Sequence, residues 1–435
     1  MSGKGKITFG AAVLMNINII VGAGYLFGPS KMAAAVGSLS FLGWLAVGLL
    51  VFPVIWCVAQ AARIFPGEGG FYNYCSKGIN PLFGFIAQWV YLVGYMGTAL
   101  VFTLAIKDTL VNKAGFAFIN DYSTLFFIAV IAFFSLLNML PIEQVSKIQS
   151  VATLFKLIPM FAVILLIPFY FKTNVSYACA DVSSFVDVIP VGIFAFWGFE
   201  CCASIGHMLK DGPQAVGRVT LTAFFLVAAA YTLFHFGLIH IMGVEGLIKD
   251  GPVLFPKYLG FSPEITSILL PAIVGAIAFS YMNCVFGVML GNMTNLYLMA
   301  KNKLIAGSSV LTKTTNNDRP FAAAGVLAGV LFGMLMFIDS IKVGMGLTNI
   351  GVSSAFVLTL VALVLHNVKR RDFMSLFVTL LGCASCAVLI YYSWLDMGAH
   401  NAERLMYAIP LAVGLVVGLV LHFFAAKKPV ARKSR

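Results

Sequence analysis

Hydrophobic residues of this chain fall into twelve long runs that are separated by short polar stretches. A helix needs about 20 apolar residues to cross a hydrocarbon layer of about 30 Å, and each run approaches or exceeds that length. The first run is too long for a cleaved signal peptide, so we expect it to stay in the mature protein. The twelve predicted transmembrane helices cover residues 8–36, 39–62, 80–106, 122–140, 148–171, 188–207, 219–243, 264–300, 321–338, 343–365, 373–394 and 405–425.

The composition supports an integral membrane protein. Of the 435 residues, 60% are hydrophobic and only 10% are charged. A soluble domain of this size would need a more polar surface. The polar stretches between the runs are too short to form a core of their own, so we predict a single transmembrane domain.

The distribution of positive charge predicts how the helices are oriented. If both termini are cytoplasmic, 19 of the 28 Lys and Arg residues lie inside, eight lie outside, and Lys156 lies within a helix. The opposite orientation would violate the positive-inside rule. The net charge of +12 then follows from topology and from a basic tail that contacts anionic lipid headgroups, without a nucleic-acid partner. We expect a multi-pass protein of the cell membrane, here a bacterial inner membrane.

Two of the runs are interrupted at matching places. The first is broken by Gly22, Ala23 and Gly24, and the sixth is broken around residues 196–200, 176 residues later. Unwound backbone is tolerated inside a bilayer only where it lines a cavity or is packed in protein. Matching breaks therefore predict a substrate site at mid-depth, between two inverted five-helix repeats that each begin with a broken helix.

These repeats define the predicted organisation of residues 1–435. The parts are a cytoplasmic N-terminus (1–7), the first inverted repeat (8–171), the second inverted repeat (188–365), helices 11 and 12 (373–425) and a basic cytoplasmic tail (426–435).

The first break suits a carboxylate. Glycine lets a ligand approach the backbone closely, and the N-terminus of a half-helix carries a partial positive charge. We therefore predict that Gly22, Ala23 and Gly24 bind a substrate carboxylate. The alternative is that these small residues only permit close helix packing.

The second break suits an ammonium group. Backbone carbonyls freed near residues 194–198, including Gly198, would accept hydrogen bonds from it. Aromatic side chains at this break would stack over the substrate or act as gates, although in a chain with 14% aromatic residues they are also ordinary core. These candidates are Phe194, Phe196 and Trp197.

Other functional classes are poorly supported by the sequence. A channel would show a continuous polar stripe or a ring of like residues, and an enzyme would offer clustered catalytic side chains. Neither pattern is present, and no His or Cys spacing predicts a metal site, so we expect no cofactor. Cys179 is the sole cysteine predicted outside, so we expect no disulfide within the chain on that face. The outer stretch 107–121 contains no cysteine, so we expect no disulfide-linked subunit there.

Four segments resemble the amino acid, polyamine and organocation transporters. They are residues 21–29, VGAGYLFGP; 65–74, FPGEGGFYNY; 194–200, FAFWGFE; and 295–303, NLYLMAKNK. They follow one another in the family's order, and the resemblance spans essentially the whole chain, with the same count and order of helices. The resemblance implies twelve helices in a LeuT-like all-α fold and secondary active transport of an amino acid or amine by alternating access.

The resemblance also bears on the substrate. It implies that Phe194 and Phe196 cover the substrate and that Phe286 of the eighth helix borders on it. Antiporters for arginine or cadaverine have tryptophan where Phe194 and Phe286 fall. Phenylalanine binds cations less well than tryptophan, so these two residues weaken the prediction of a basic substrate. An exchanger of basic amino acids or polyamines with their decarboxylation products is the alternative.

Two ionisable residues lie at membrane depth, where a charge marks a functional site by default. Lys156 resembles the fifth-helix lysine of related permeases, whose ammonium stands where other transporters bind sodium. Burial disfavours its charged form, so it either exchanges a proton during transport or stays charged and ties the first break to the fifth helix. Glu200 either donates or transfers a proton, holds a cationic substrate, or braces the second break.

Overall fold

The computed structural model describes residues 7–22, 24–65, 70–173, 175–178, 182–200, 209–210, 212 and 215–425. Within these residues the chain is helical, apart from turns, loops and an isolated β-bridge between Ile7 and Leu209. The α-helices in the described residues are, in chain order, α1 (Phe9–Ile20), α2 (Gly24–Val36), α3 (Gly43–Ile64), α4 (Gly70–Gly78), α5 (Pro81–Asp108), α6 (Ser123–Leu137), α7 (Ile142–Tyr170), α8 (Ile189–Phe196), α9 (Val216–Asp250), α10 (Pro263–Lys301), α11 (Ser308–Leu311), α12 (Phe321–Phe337), α13 (Ile341–Arg370), α14 (Phe373–Asp396) and α15 (Asn401–Phe423).

Eight helices in the described residues are long and apolar enough to cross a membrane: α3, α5, α7, α9, α10, α13, α14 and α15. A ninth candidate is the pair α1 and α2, whose axes are bent by 55° at the first break. Three shorter apolar helices, Ser123–Leu137, Ser183–Phe196 and Phe321–Phe337, coincide with the fourth, sixth and ninth predicted runs. The described part of the chain is thus all-helical, and its apolar helices are those of a multi-pass membrane protein.

Helix starts follow local signals in the sequence. Side-chain oxygens of five residues each accept a hydrogen bond from a backbone N–H in the first turn of the following helix. These caps satisfy donors that have no partner within the helix. The capping residues are Thr8, Asn80, Ser262, Ser340 and Asp372.

Two stretches that the sequence suggested as polar loops are partly helical. The inner stretch before Asn80 contains α4, whose Phe71, Tyr74 and Cys75 are buried. In α9 the backbone leaves helical geometry at Gly243, the predicted end of the seventh run, with φ +74° and ψ 168°, and a further helical stretch then continues to Asp250. Mean hydropathy does not reveal these two helical stretches, because the polar face of a half-buried helix lowers the mean and hides the apolar face.

Helix α5 lies at the centre of the bundle and α15 at its edge. In the most apolar part of α5, 83% of residues are buried, against 6% in α15. Helix α5 packs closely on α13, where a Cβ added to Gly351 would lie 2.6 Å from the Cα of Gly94. Small residues let helix backbones approach in this way in membranes. Helices α5 and α13 therefore form a tightly packed central pair.

Replacing Gly351 by alanine should destabilise the fold, because the new methyl group meets backbone atoms that cannot rotate away. Overpacking of this kind costs about 1–3 kcal/mol. We expect a clear fall in the midpoint of thermal unfolding in detergent. Gly325→Ala in α12 is the matched control, since a Cβ there meets nothing within 4 Å. Equal midpoints for the two variants would contradict the packing of α5 on α13.

Candidate functional site

The first break separates α1 from α2. Helix α1 ends at Ile20, and Val21 already has non-helical angles of φ −69° and ψ 77°. The N–H of Gly22 turns back to donate to the carbonyl of Ile20 at 2.6 Å. Ala23 lies outside the described residues, and α2 begins at Gly24. The C-terminus of α1 and the N-terminus of α2 thus lie in the middle of the first predicted run.

The second break follows α8. Helix α8 ends at Phe196, and Trp197 leaves helical geometry with φ −58° and ψ 146°. Gly198 then has φ +112°, a conformation that side chains other than glycine rarely adopt. This reversal turns the chain so that Glu200 faces back toward the break.

The two breaks touch one another. A Cβ added to Gly24 would lie 2.6 Å from the Cα of Ala195, so α2 begins directly against the end of α8. A Cβ added to Gly198 would lie 3.0 Å from the carbonyl oxygen of Ile19, so the second break packs on the end of α1. Glycine at both positions permits these approaches. Residues separated by more than 170 positions thereby bring the ends of the two broken helices together.

Tyr231 of α9 connects the ends of the two helices. Its hydroxyl lies 3.2 Å from the carbonyl oxygen of Ile20 and 3.2 Å from that of Ala195, so it donates to this pair of freed acceptors. Its ring stacks on that of Tyr25, with centroids 5.8 Å apart. In the sequence Tyr231 shows only a phenolic hydroxyl in the middle of an apolar run, which is too weak a signal to predict this contact.

Lys156 ties α7 to both halves of the broken first helix. Its Nζ donates to the carbonyl of Asn18 in α1 at 2.5 Å, and the residue is 3% exposed. Thr153, one turn earlier, donates to the side chain of the same Asn18 at 2.7 Å. The hydroxyl of Tyr25 in α2 donates to the backbone carbonyl of Lys156 at 2.7 Å. An ammonium at this position satisfies an acceptor at the end of α1.

Glu200 connects the second break to α5. Its Oε1 accepts hydrogen bonds from the hydroxyls of Tyr91 at 2.9 Å and Tyr95 at 2.6 Å. Its Oε2 accepts from the N–H of Gly198 at 2.9 Å. Both oxygens thus have donors, which is the arrangement that suits an ionised carboxylate. The role of Tyr91 and Tyr95 could not be read from the sequence alone, because it depends on how α5 faces the second break.

The aromatic residues near the second break face different ways. Phe194 lies against Phe102 of α5, with ring centroids 5.8 Å apart. Phe196 is fully buried and packs on Trp44 and Tyr231. Phe102 in turn lies next to Gly22. Of the two phenylalanines predicted to cover the substrate, Phe194 is therefore the one that lies toward the first break.

Trp197 points into the core formed with α13. Its indole N–H donates to the side chain of Asn349 at 2.8 Å, and its ring packs on Phe356 at 5.2 Å. Asn349 in turn donates to the carbonyl of Pro190 at 2.8 Å. The structure therefore places Trp197 in a fixed packing contact that holds α8 against α13.

Phe286 lies on the side of α10 that faces α6. Its ring stacks on Phe134, with centroids 6.1 Å apart. Cys284, two positions earlier, is turned about 200° around the helix. The Sγ of Cys284 lies 3.9 Å from the Cβ position of Gly22. The contacts place Cys284, and not Phe286, beside the first break.

Metal-binding chemistry has little support here. Within the described part of the chain, no three His, Cys, Asp or Glu side chains come together as ligands. The buried cation of Lys156 already lies at the end of α1.

Comparison with known families decides the class of protein. A sequence profile described as "Amino acid permease" matches residues 7–417, which is nearly the whole chain. The chain belongs to the amino acid permease family. This confirms the resemblance drawn from the glycine-rich first helix and the other three segments.

The permease is also similar to characterised bacterial proteins. It is 24% identical over 246 residues to the serine/threonine exchanger SteT of Bacillus subtilis. The aligned residues are 55% of this chain and 56% of the relative. It is 27% identical over 240 residues to an arginine/agmatine antiporter of Chlamydia pneumoniae, 51% and 49% of the two chains. It is 20% identical over 254 residues to the glutamate/serine transporter AimA of Bacillus subtilis, 52% and 46%. The chain spans about half the length of these curated relatives.

Replacing Tyr231 by phenylalanine should loosen the junction between the two breaks. The change removes one hydroxyl and leaves the carbonyls of Ile20 and Ala195 without this donor, at a cost of about 1 kcal/mol or more. We expect a lower midpoint of thermal unfolding than for Tyr391→Phe, since Tyr391 is 56% exposed. Indistinguishable midpoints would show that the hydroxyl of Tyr231 does not join the helices.

Proposed function

We propose that this permease is a secondary transporter of amino acids that works by alternating access. The family supports this, and the positions of the apolar helices fit twelve transmembrane spans arranged as two inverted five-helix repeats of the LeuT type, with two further helices. The observation that carries the proposal is the contact between the two breaks, at Gly24 with Ala195 and at Gly198 with Ile19.

In this proposal the substrate backbone binds across the two breaks. The carboxylate binds to N–H groups at Gly22, Ala23 and Gly24, where the N-terminus of α2 favours negative charge, and it replaces the carbonyl of Ile20 as the acceptor for the N–H of Gly22. The ammonium binds to carbonyls at the ends of α1 and α8, in the region that the Tyr231 hydroxyl now contacts. Phe194 covers the bound substrate.

Lys156 acts in this proposal as a charged tether that takes the place of a bound sodium ion. The support is its hydrogen bond to Asn18 and the second link from Tyr25 to its own carbonyl. A cation at this position would make a second cation unfavourable. Glu200 braces the second break on α5 in the conformation described here. Proton coupling through either group is the alternative that the transport assay must decide.

The proposed location is a bacterial inner membrane with both termini in the cytoplasm. The excess of Lys and Arg on one side of the predicted helices supports this orientation. The similar proteins in Bacillus and Chlamydia, named as exchangers, antiporters and transporters of amino acids, support the substrate class.

Uptake by purified protein in proteoliposomes tests the function directly. We expect saturable uptake of radiolabelled amino acids, competition by a subset of the twenty, and stimulation by a preloaded internal substrate if the protein exchanges. An imposed proton gradient should leave the rate unchanged if Lys156 and Glu200 keep their charges. Absence of saturable uptake for every amino acid and polyamine would overturn the proposal.

Gly24→Ala should abolish transport, because the added methyl group would push α2 away from the backbone of α8. We expect a loss of at least about tenfold in uptake, or ~1.4 kcal/mol in the barrier. Gly275→Ala in α10 is the control, since a Cβ there meets nothing within 4 Å. Normal uptake by well-folded Gly24→Ala protein would contradict the site at the breaks.

Lys156→Ala separates a fixed tether from a proton carrier. A tether predicts loss of uptake whether or not a proton gradient is imposed, because the carbonyl of Asn18 loses its donor. A proton carrier predicts that exchange survives while gradient-driven uptake is lost. Unchanged uptake in both conditions would exclude each role.

A further inference from the structure

A turn of two residues joins α13 to α14 at one end of the bundle. Helix α13 ends at Arg370 and α14 begins at Phe373. The N–H of Asp372 in this turn donates to the carbonyl of Asn367 at 3.1 Å. The Asn367 side chain donates to the hydroxyl of Thr379 at 3.1 Å, which ties the two helices together. Because both helices are long and apolar enough to cross a membrane, this turn lies at the membrane surface.

Three consecutive cations lie at this turn without a carboxylate partner. Lys369, Arg370 and Arg371 are exposed, and none of them forms an ion pair within the residues that the structure describes. The neighbouring Asp372 is engaged by α14, because its two oxygens accept from the N–H and the hydroxyl of Ser375 at 3.0 and 2.8 Å. The turn therefore carries three positive charges against one negative charge, and its guanidinium donors are available to a ligand.

Arg371 has a backbone conformation that glycine would adopt more easily. Its φ of +55° and ψ of 33° lie in the left-handed region, which is unfavourable for a residue with a Cβ. Glycine is the usual residue in this conformation just after a helix. An arginine at such a place is expected where the side chain itself has a role.

Exposed apolar side chains flank the cations on both helices. Phe373 and Met374, which follow the turn directly, are each 76% exposed. Exposed apolar patches of this kind mark places where a protein contacts a membrane or a partner. The exposed apolar residues next to the turn are Val361, Leu365 and Val368 on α13 and Phe373, Met374, Phe377, Leu380 and Leu381 on α14.

We propose that the turn between α13 and α14 binds the headgroup of an anionic phospholipid, whose acyl chains lie along Phe373 and Met374. Arg370 and Arg371 hold the phosphate, because the planar guanidinium presents donors in a geometry that matches phosphate oxygens. Lys369 adds a third positive charge. A zwitterionic headgroup has no net charge, so these cations favour an anionic lipid over a neutral one. In the proposed orientation the lipid belongs to the inner leaflet.

A lipid held at this turn acts on the helix that supports the second break. Helix α13 carries Asn349, whose side chain accepts a hydrogen bond from Trp197, and Phe356, which packs on the same indole. Helix α13 also packs closely on α5. A lipid that binds only the folded protein therefore stabilises this central pair of helices. The inference rests on the membrane location of α13 and α14, and not on the proposed substrate site.

Purified full-length protein in detergent, mixed with phosphatidylglycerol or phosphatidylcholine, tests the proposal. We expect phosphatidylglycerol to raise the midpoint of thermal unfolding and to stay bound in native mass spectra, and phosphatidylcholine to do neither. Inorganic phosphate should not raise the midpoint, because it lacks acyl chains. Equal effects of the two lipids, or an equal effect of inorganic phosphate, would overturn the proposal.

Removing the three cations locates the binding at this turn. Lys369→Gln, Arg370→Gln and Arg371→Gln together should weaken phosphatidylglycerol binding at least about tenfold, because three attractive charges are lost. The basic tail is the same in both proteins, so its own attraction for anionic lipid cancels in the comparison. Unweakened binding of phosphatidylglycerol to this variant would place the lipid elsewhere.

Arg371→Gly separates lipid binding from stability of the fold. Glycine suits the left-handed backbone, so the midpoint without added lipid should not fall, while affinity for phosphatidylglycerol should fall about fivefold. Lys303→Gly is the matched control, because Lys303 also follows a helix with φ +56°, but Leu304 and Ile305 after it are half-buried and buried. An equal loss of affinity in both variants would contradict a site at this turn. These measurements do not use transport, so their failure would leave the proposed function standing.

Discussion

A broken helix inside a membrane must find partners for the peptide groups that it frees. Lipid offers none, and each unsatisfied group costs several kcal/mol. In this permease the demand arises twice, at the end of α1 and at the end of α8, and the two points meet. Some of the freed groups bond to the protein itself, as when Gly22 turns back to Ile20 and Tyr231 contacts the carbonyls of Ile20 and Ala195. A solute with one carboxylate and one ammonium group supplies the same kinds of partner.

The contacts around the breaks link the broken helices to the rest of the bundle. Lys156 and Tyr25 join α7 to the two halves of the first helix. Glu200 joins the second break to α5, which is itself packed against α13 through glycines. A change in the angle at either break must therefore strain a hydrogen bond in α7, α9 or α5. If substrate binds at the breaks as proposed, these links transmit the binding to the bundle.

Sequence reasoning recovered the features that depend on depth in the membrane. Hydropathy located the apolar helices, glycine clusters located the points where α1 and α8 end, and charge scarcity singled out Lys156 and Glu200. It could not supply partners, because residues such as Tyr91 and Tyr231 come from other helices whose rotation hydropathy does not determine. It also could not say that Trp197 would turn toward Asn349, since that direction depends on the backbone angles at Trp197. For the same reason the resemblance pointed to Phe286, whereas Cys284 is the residue of α10 that lies beside Gly22.

The most direct measurement of the central claim is an experimental density map of the protein with a transported amino acid bound. The account predicts density for the amino acid between residues 22–24 and 194–198, with its carboxylate toward the start of α2. Density for the amino acid at another place, or continuous helix through either break, would contradict it.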